Sequence, residues 1–166
     1  MTNQNKTTIF NLGESNDELA ALDIVKSSDK SVQVNSDCIV VEGANTFHIE
    51  SGKVDFHESG LSSRMFTPVL ATSNQALELV GSGSLPTRPM GIFDEILPKL
   101  DVSFTSNQSK LPFQIQGPLQ PKDIEIDGSL SSQFITGFIY GYVGSESLKN
   151  EKMTLINPKS VPYIEL

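Results

Sequence analysis

Chemistry in this chain would rest on two short runs of small polar residues and on Arg88. Glu58-Ser-Gly-Leu-Ser-Ser63 and Asp127-Gly-Ser-Leu-Ser-Ser132 each stand just ahead of an apolar stretch of helical length. The first turn of a helix offers unpaired N–H donors and a positive dipole end, and glycine lets a ligand approach the backbone. Serine hydroxyls add further donors, so such a turn can hold a phosphate. The same serines can equally serve as plain helix caps, their commonest use. Arg88 lies between Thr87 and Pro89, beside Gly81-Ser-Gly-Ser84. A guanidinium there can clamp a phosphate or carboxylate bidentately, or simply be a solvated surface charge. The glycine-serine loop lacks the Lys-Ser/Thr ending of a nucleotide P-loop. No Ser/His/Asp or Cys/His pairing and no paired carboxylates suggest acid–base or nucleophilic work, so no catalytic residue is assigned.

The elements that must position these residues come twice. Val54-Asp-Phe-His-Glu-Ser-Gly-Leu-Ser-Ser-Arg64-Met-Phe resembles Ile124-Glu-Ile-Asp-Gly-Ser-Leu-Ser-Ser-Gln133-Phe-Ile, with Arg64 and Gln133 69 residues apart. Downstream, Ala76–Val80 followed by Pro86-Thr-Arg-Pro89 parallels Met153–Ile156 followed by Lys159-Ser-Val-Pro162. Self-similarity at a fixed period marks a repeat, here of about 70 residues. Each copy reads as helix, strand, strand, strand, helix, strand, which makes the chain a mixed α/β (α+β) protein. The units span 13–82 and 83–159, with 160–166 opening a third.

Within the first unit, Ser15-Asn-Asp-Glu18 is a capping-box pattern that predicts a helix start. Strands are expected near Val32–Val34, Cys38–Val41 and Val54–Phe56, a helix over about Ser62–Thr72, and a strand over Ala76–Val80. In the second unit Pro89 is expected in the first turn of a helix ahead of Ile92, and Pro98 should disturb that helix near its end. Strands near Val102–Thr105, Phe113–Gln116 and Ile124–Ile126, a helix over Leu130–Tyr142 and a strand over Lys152–Ile156 complete it. Thr7–Leu12 reads as the closing strand of a preceding unit, and Pro162–Leu166 as the start of the next unit's helix. Repeats cut at both ends predict a partial lobe over 1–166.

Composition narrows the partners. A net charge of −8 argues against nucleic acid, which needs a basic footprint, but leaves room for small anions held locally. No apolar run approaches the roughly 18 residues of a membrane span, and MTNQNKTTIF lacks the apolar core of a signal peptide. Cys38 is the only cysteine, so neither a disulfide framework nor metal-type spacing exists. His48 and His57 read as exposed strand or turn residues. Neither metal nor cofactor is expected, and the location expected is the cytoplasm.

These residues also carry a family resemblance. Leu85-Pro-Thr-Arg-Pro-Met-Gly91, Asp127-Gly-Ser-Leu-Ser-Ser-Gln-Phe134 and Ser160-Val-Pro-Tyr-Ile164 resemble three motifs of the 5-enolpyruvylshikimate-3-phosphate synthases, in the right order and spacing. Glu58–Phe66 is similar to a fourth, and Leu111-Pro-Phe-Gln-Ile-Gln-Gly117 to the family's linking stretch. The resemblance runs from Asn11 to Leu166. It implies lobes of repeated βαβαββ units (an α–β prism), of which about two are present here. It implies transfer of the enolpyruvyl group of phosphoenolpyruvate to the 5-hydroxyl of shikimate-3-phosphate, a step of aromatic amino acid biosynthesis.

By that resemblance Ser131, Ser132 and Ser160 hold shikimate-3-phosphate, with Tyr163 nearby. Gln133 lies against its ring and reaches the second substrate. Gly60 and Arg88 bind phosphoenolpyruvate, and Arg64 matches the arginine after the glycine loop. The family's Asn-Ala-Gly-Thr loop is Glu58-Ser-Gly-Leu61 here, which puts a carboxylate near an anion. Its Lys-Ser…Asn-Arg segment and its second lobe, with the catalytic acidic residues, are absent, so the chain alone is expected to be inactive. Two neighbouring readings are a relative acting on UDP-N-acetylglucosamine and a non-catalytic anion-binding module. The first normally has a loop cysteine near Arg88, whereas Cys38 falls in a predicted strand. An RNA-phosphate cyclase relative is disfavoured by the acidic balance.

Overall fold

The computed structural model describes residues 6–43, 47–129, 131–145, 147 and 149–157. After a first strand, β1 (Thr7–Phe10), the expected order appears twice. The first pass is α1 (Asn16–Lys26), β2 (Ser31–Val34), β3 (Cys38–Glu42), β4 (Lys53–Asp55), α2 (Gly60–Leu70) and β5 (Ala76–Val80). The second is α3 (Ile92–Lys99), β6 (Ser103–Thr105), β7 (Phe113–Gln116), β8 (Ile124–Asp127), α4 (Ser132–Gly144) and β9 (Met153–Ile156).

Local chemistry accounts for most boundaries. Ser15 and Glu18 form the capping box reciprocally: the Glu18 N–H donates to the Ser15 hydroxyl, and the Ser15 N–H donates to the Glu18 carboxylate at 3.1 Å. Pro98 is the penultimate residue of α3, and Asp101, at φ 61°, turns the chain out of it. Pro89 is not a first-turn helix residue. Pro86 instead opens a short 3-10 turn over Leu85–Thr87, and α3 starts at Ile92 behind Gly91. Proline suits either start because its missing N–H is not needed there. α2 begins at Gly60, ahead of the expected Ser62, because Ser59 and not a later serine is its cap.

The sheets do not follow the repeat boundary. β1, β3 and β2 form an antiparallel sheet in that order, and β8 pairs with β9 in parallel. Between them lies a four-stranded sheet ordered β4-β5-β7-β6. Its β4–β5 pair is parallel and comes from the first unit; β7 and β6 add antiparallel from the second. β1 stands to β3 and β2 as β5 stands to β7 and β6, which is the place of a closing strand.

α2 and α4 lie against each other beside this sheet. A Cβ on Gly137 would sit 2.5 Å from the Arg64 carbonyl oxygen and 3.0 Å from the Met65 Cα, and one on Gly141 would sit 3.0 Å from the Pro68 carbonyl oxygen. Two glycines four residues apart therefore let the backbones approach. Pro68 has no N–H for the Arg64 carbonyl four residues back, and that carbonyl faces Gly137 instead. The core beneath is aromatic. Phe93 of α3 meets Phe104, Phe113, Phe134 and Phe138 edge-on, with ring centroids 5.2–6.2 Å apart.

Candidate functional site

Helix starts converge on one face. The Ser59 hydroxyl caps α2 by accepting the Ser62 N–H at 2.9 Å, and donates its own proton to the Asp17 carboxylate in the first turn of α1. The Ser62 hydroxyl donates to the Asp17 carbonyl at 3.4 Å. One turn into α2, the Arg64 guanidinium reaches α4: its Nη1 donates to Gln133 Oε1 at 2.7 Å. Ser131 caps α4, its hydroxyl accepting the Gln133 N–H at 3.3 Å, and Ser132 is the first helical residue. The first turns of α1, α2 and α4 are thereby tied together, each with N–H groups that have no partner within the helix.

Arg88 comes to the same place from the 3-10 turn. A Cβ on Gly60 would lie 2.7 Å from Arg88 Nη1 and 3.7 Å from Arg64 Nη1, so both guanidiniums border the bare backbone that opens α2. Arg88 Nη2 donates to the Ser84 hydroxyl at 3.0 Å, which holds it there. Among the described residues neither arginine pairs with a carboxylate. Burial, and then the adjacent Arg88 charge, bias Arg64 below the ordinary arginine value, although a guanidinium stays charged. The Arg64 Cζ lies 5.3 Å from the centre of the Phe134 ring, itself part of the aromatic core. Two adjacent cations that pair with no carboxylate among the described residues, over a glycine at a helix start, form a place where an anion relieves repulsion.

Of the residues singled out from the sequence, Gly60, Arg64, Arg88, Ser131, Ser132 and Gln133 are brought to this face. Ser160 and Tyr163 lie outside the described residues. Ser62 and Ser63 are not open twins of Ser131 and Ser132. Both are fully buried, and the Ser63 hydroxyl donates to the Gly60 carbonyl at 3.0 Å. The extra turn at the start of α2 moves the capping role to Ser59. Glu58 folds its carboxylate against Gly83, whose φ of 57° favours glycine. Asp17 was not singled out from the sequence, and Ser84 and Phe134 stood there only as members of motifs. Ser84 had a signal, four residues before Arg88 across a turn; Asp17, 42 residues from Ser59, had none.

Comparisons with known proteins agree with this architecture. The family model described as EPSP synthase (3-phosphoshikimate 1-carboxyvinyltransferase) matches residues 1–166. A 3-phosphoshikimate 1-carboxyvinyltransferase of Clostridium perfringens (strain SM101) is 27% identical over 164 residues, covering 97% of this chain and 38% of the relative. That of Methanocorpusculum labreanum is 32% identical over 159 residues, covering 93% and 36% respectively. Among solved structures, EPSP synthase from Acinetobacter baumannii superposes with a TM-score of 0.80 at 21% identity, over 94% of this chain and 36% of that one. The enolpyruvyl transferase NikO from Streptomyces tendae does so at 0.60 and 12% identity, over 90% and 34%. These last two are likenesses of fold. The chain thus spans a little over a third of the length of the proteins it matches, and with its whole sequence covered by the family model it belongs to the EPSP synthase family.

Proposed function

We propose that this chain is substrate-binding surface of an enzyme that moves the enolpyruvyl group of phosphoenolpyruvate to the 5-hydroxyl of shikimate-3-phosphate, releasing phosphate. The observation that carries the reading is the convergence of Arg88, Arg64 and Gly60 at the start of α2, with Gln133 of α4 against them. Gly60 admits the anionic end of phosphoenolpyruvate to the helix start, and Arg88 neutralises it. Ser131 and Ser132 offer hydroxyls and a helix N-terminus to shikimate-3-phosphate, joined by Ser160 and Tyr163. Gln133 lies between the two ligands. This chain's contribution is to bind and orient; the proton-transfer groups belong to the second lobe, the partner this surface requires. No helix among the described residues is long and apolar enough to cross a membrane, and the reading places the enzyme in the cytoplasm.

Titration of the ¹⁵N-labelled chain tests this. Shikimate-3-phosphate should shift the amides of Ser131, Ser132 and Gln133, and phosphoenolpyruvate those of Gly60 and Leu61. Amides that stay still at millimolar ligand would show that the pocket does not form without the second lobe, and shifts confined to other residues would refute the assignment. A phosphate-release assay on the chain alone should show no turnover, since a single wall neither excludes water nor orients both reactants.

A further inference from the structure

Arg64 borders the α2 subsite in that reading, but no ligand contact is assigned to it. We propose that Arg64 is a positioning residue: it fixes the Gln133 carboxamide so that only N–H donors face the ligands, coupling the α2 subsite to the α4 subsite. The inference rests on the proposed function for the identity of the ligands and on geometry alone for the coupling.

A carboxamide ordinarily turns either its oxygen or its nitrogen to a partner, and the choice follows from the hydrogen-bond network. Here the partner decides it. Arginine carries donors and no acceptor, so the group 2.7 Å from Arg64 Nη1 must be the Gln133 oxygen. With Oε1 engaged by a cation, the two N–H bonds of Nε2 are the face left for a ligand. Gln133 can then recognise acceptors such as a hydroxyl or ether oxygen, or a carboxylate.

Arg64 is itself held. Its guanidinium lies over the Phe134 ring, anchored in the core, and its Nε is enclosed with no hydrogen-bond partner among the described groups. The contact spans two helices, and the glycines at 137 and 141 bring those helices close enough for it. Arg64 and Gln133 occupy the same place in the two repeat units, 69 residues apart. A side chain of the first unit therefore sets what a side chain of the second offers.

A binding cycle decides this. Calorimetry with shikimate-3-phosphate is run on the full protein and on Arg64→Met, Gln133→Ala and the double variant. Arg64→Met should lose about tenfold in affinity, the scale of one charge-assisted hydrogen bond. In the Gln133→Ala background the same change should cost less than about twofold, because there is nothing left to position. Losses that multiply would show that Arg64 meets the ligand directly and would overturn the proposal.

A ligand-free measurement separates this from the functional reading. The Gln133 side-chain ¹⁵N–¹H₂ resonances should stand apart from those of the other glutamines, collapse onto them in Arg64→Met and persist in Arg64→Lys. If shikimate-3-phosphate fails to bind the unaltered protein, the ligand identity falls while these resonances still decide the coupling. Resonances indifferent to Arg64→Met sink the coupling whatever binds.

Discussion

A methyl group at residue 60 would arrive 2.7 Å from the Arg88 Nη1, so something must yield, and the exposed tip of a flexible arginine yields easily. Gly60→Ala should therefore leave the melting temperature nearly unchanged while displacing Arg88 from the start of α2. Phosphoenolpyruvate affinity should fall about tenfold, one charge-assisted contact, as read by titration. Unchanged affinity would mean that Arg88 does not contact that ligand. At this scale Arg88 stood out by its place between a glycine loop and a proline, whereas Gln133 stood out only through the family resemblance. The sequence misled where serines repeat. Ser62 and Ser63 match Ser131 and Ser132 by position, but Ser59 captures the cap and the later pair is buried. One hydroxyl three residues earlier decides which serines meet solvent, and no alignment of the two units shows that.

Each helix depends on a different device. The Glu18 carboxyl lies below its ordinary value of 4.5, first because the Ser15 hydroxyl donates to it and then because the Ser15 N–H does. A depressed carboxyl stabilises the fold above its unfolded pKa, and that contribution disappears as pH falls through the folded one. α1 should thus fray on acidification below the ordinary carboxyl range, seen as loss of amide-exchange protection in α1 ahead of α2. Ser15→Ala should weaken this pH response, since the backbone N–H of residue 15 remains, and loss of the cap should cost about 1 kcal/mol at neutral pH. The capping box was readable because all its chemistry is local.

The α2–α4 contact was not readable in that way. Gly137 and Gly141 sit unremarkably in an apolar helix until Pro68 exposes a carbonyl opposite them. Gly137→Ala would press a methyl onto the Arg64 carbonyl, which is backbone and cannot swing aside. Overpacking of this kind should destabilise by about 1–3 kcal/mol in chemical denaturation. It should also move the Gln133 side-chain resonances, since Arg64 and Gln133 meet only while the helices stay close.

For the whole molecule, the unit of sequence is not the unit of folding. The 13–82 and 83–159 units follow from self-similarity, yet the four-stranded sheet takes β4 and β5 from one and β6 and β7 from the other. Parallel β4–β5 is a two-stranded pair whose β5 edge is covered only when β7 arrives. Peptides cut between residues 82 and 83 should each fail to fold, giving no cooperative thermal transition by circular dichroism. Mixing them should restore one. Independent melting of either piece would show that the repeat is autonomous. The element order was plain from alternating and helical patterns, whereas the pairing was not, because a strand's partner is set by what shares its sheet in space.

The arginine–glutamine contact carries a further consequence for symmetry. Positions 64 and 133 are one site seen twice, and the close helix pair sets them face to face. Had the halves remained identical, each side chain would confront its own likeness. Two arginines repel there, and two glutamines hold no charge for an anion. An unlike pair satisfies the contact and adds the Arg64 charge to that of Arg88, so the asymmetry between the halves is what strengthens the positive charge of this face. Exchanging the two, with Arg64→Gln and Gln133→Arg together, should preserve the bond while carrying the positive charge across to the other helix.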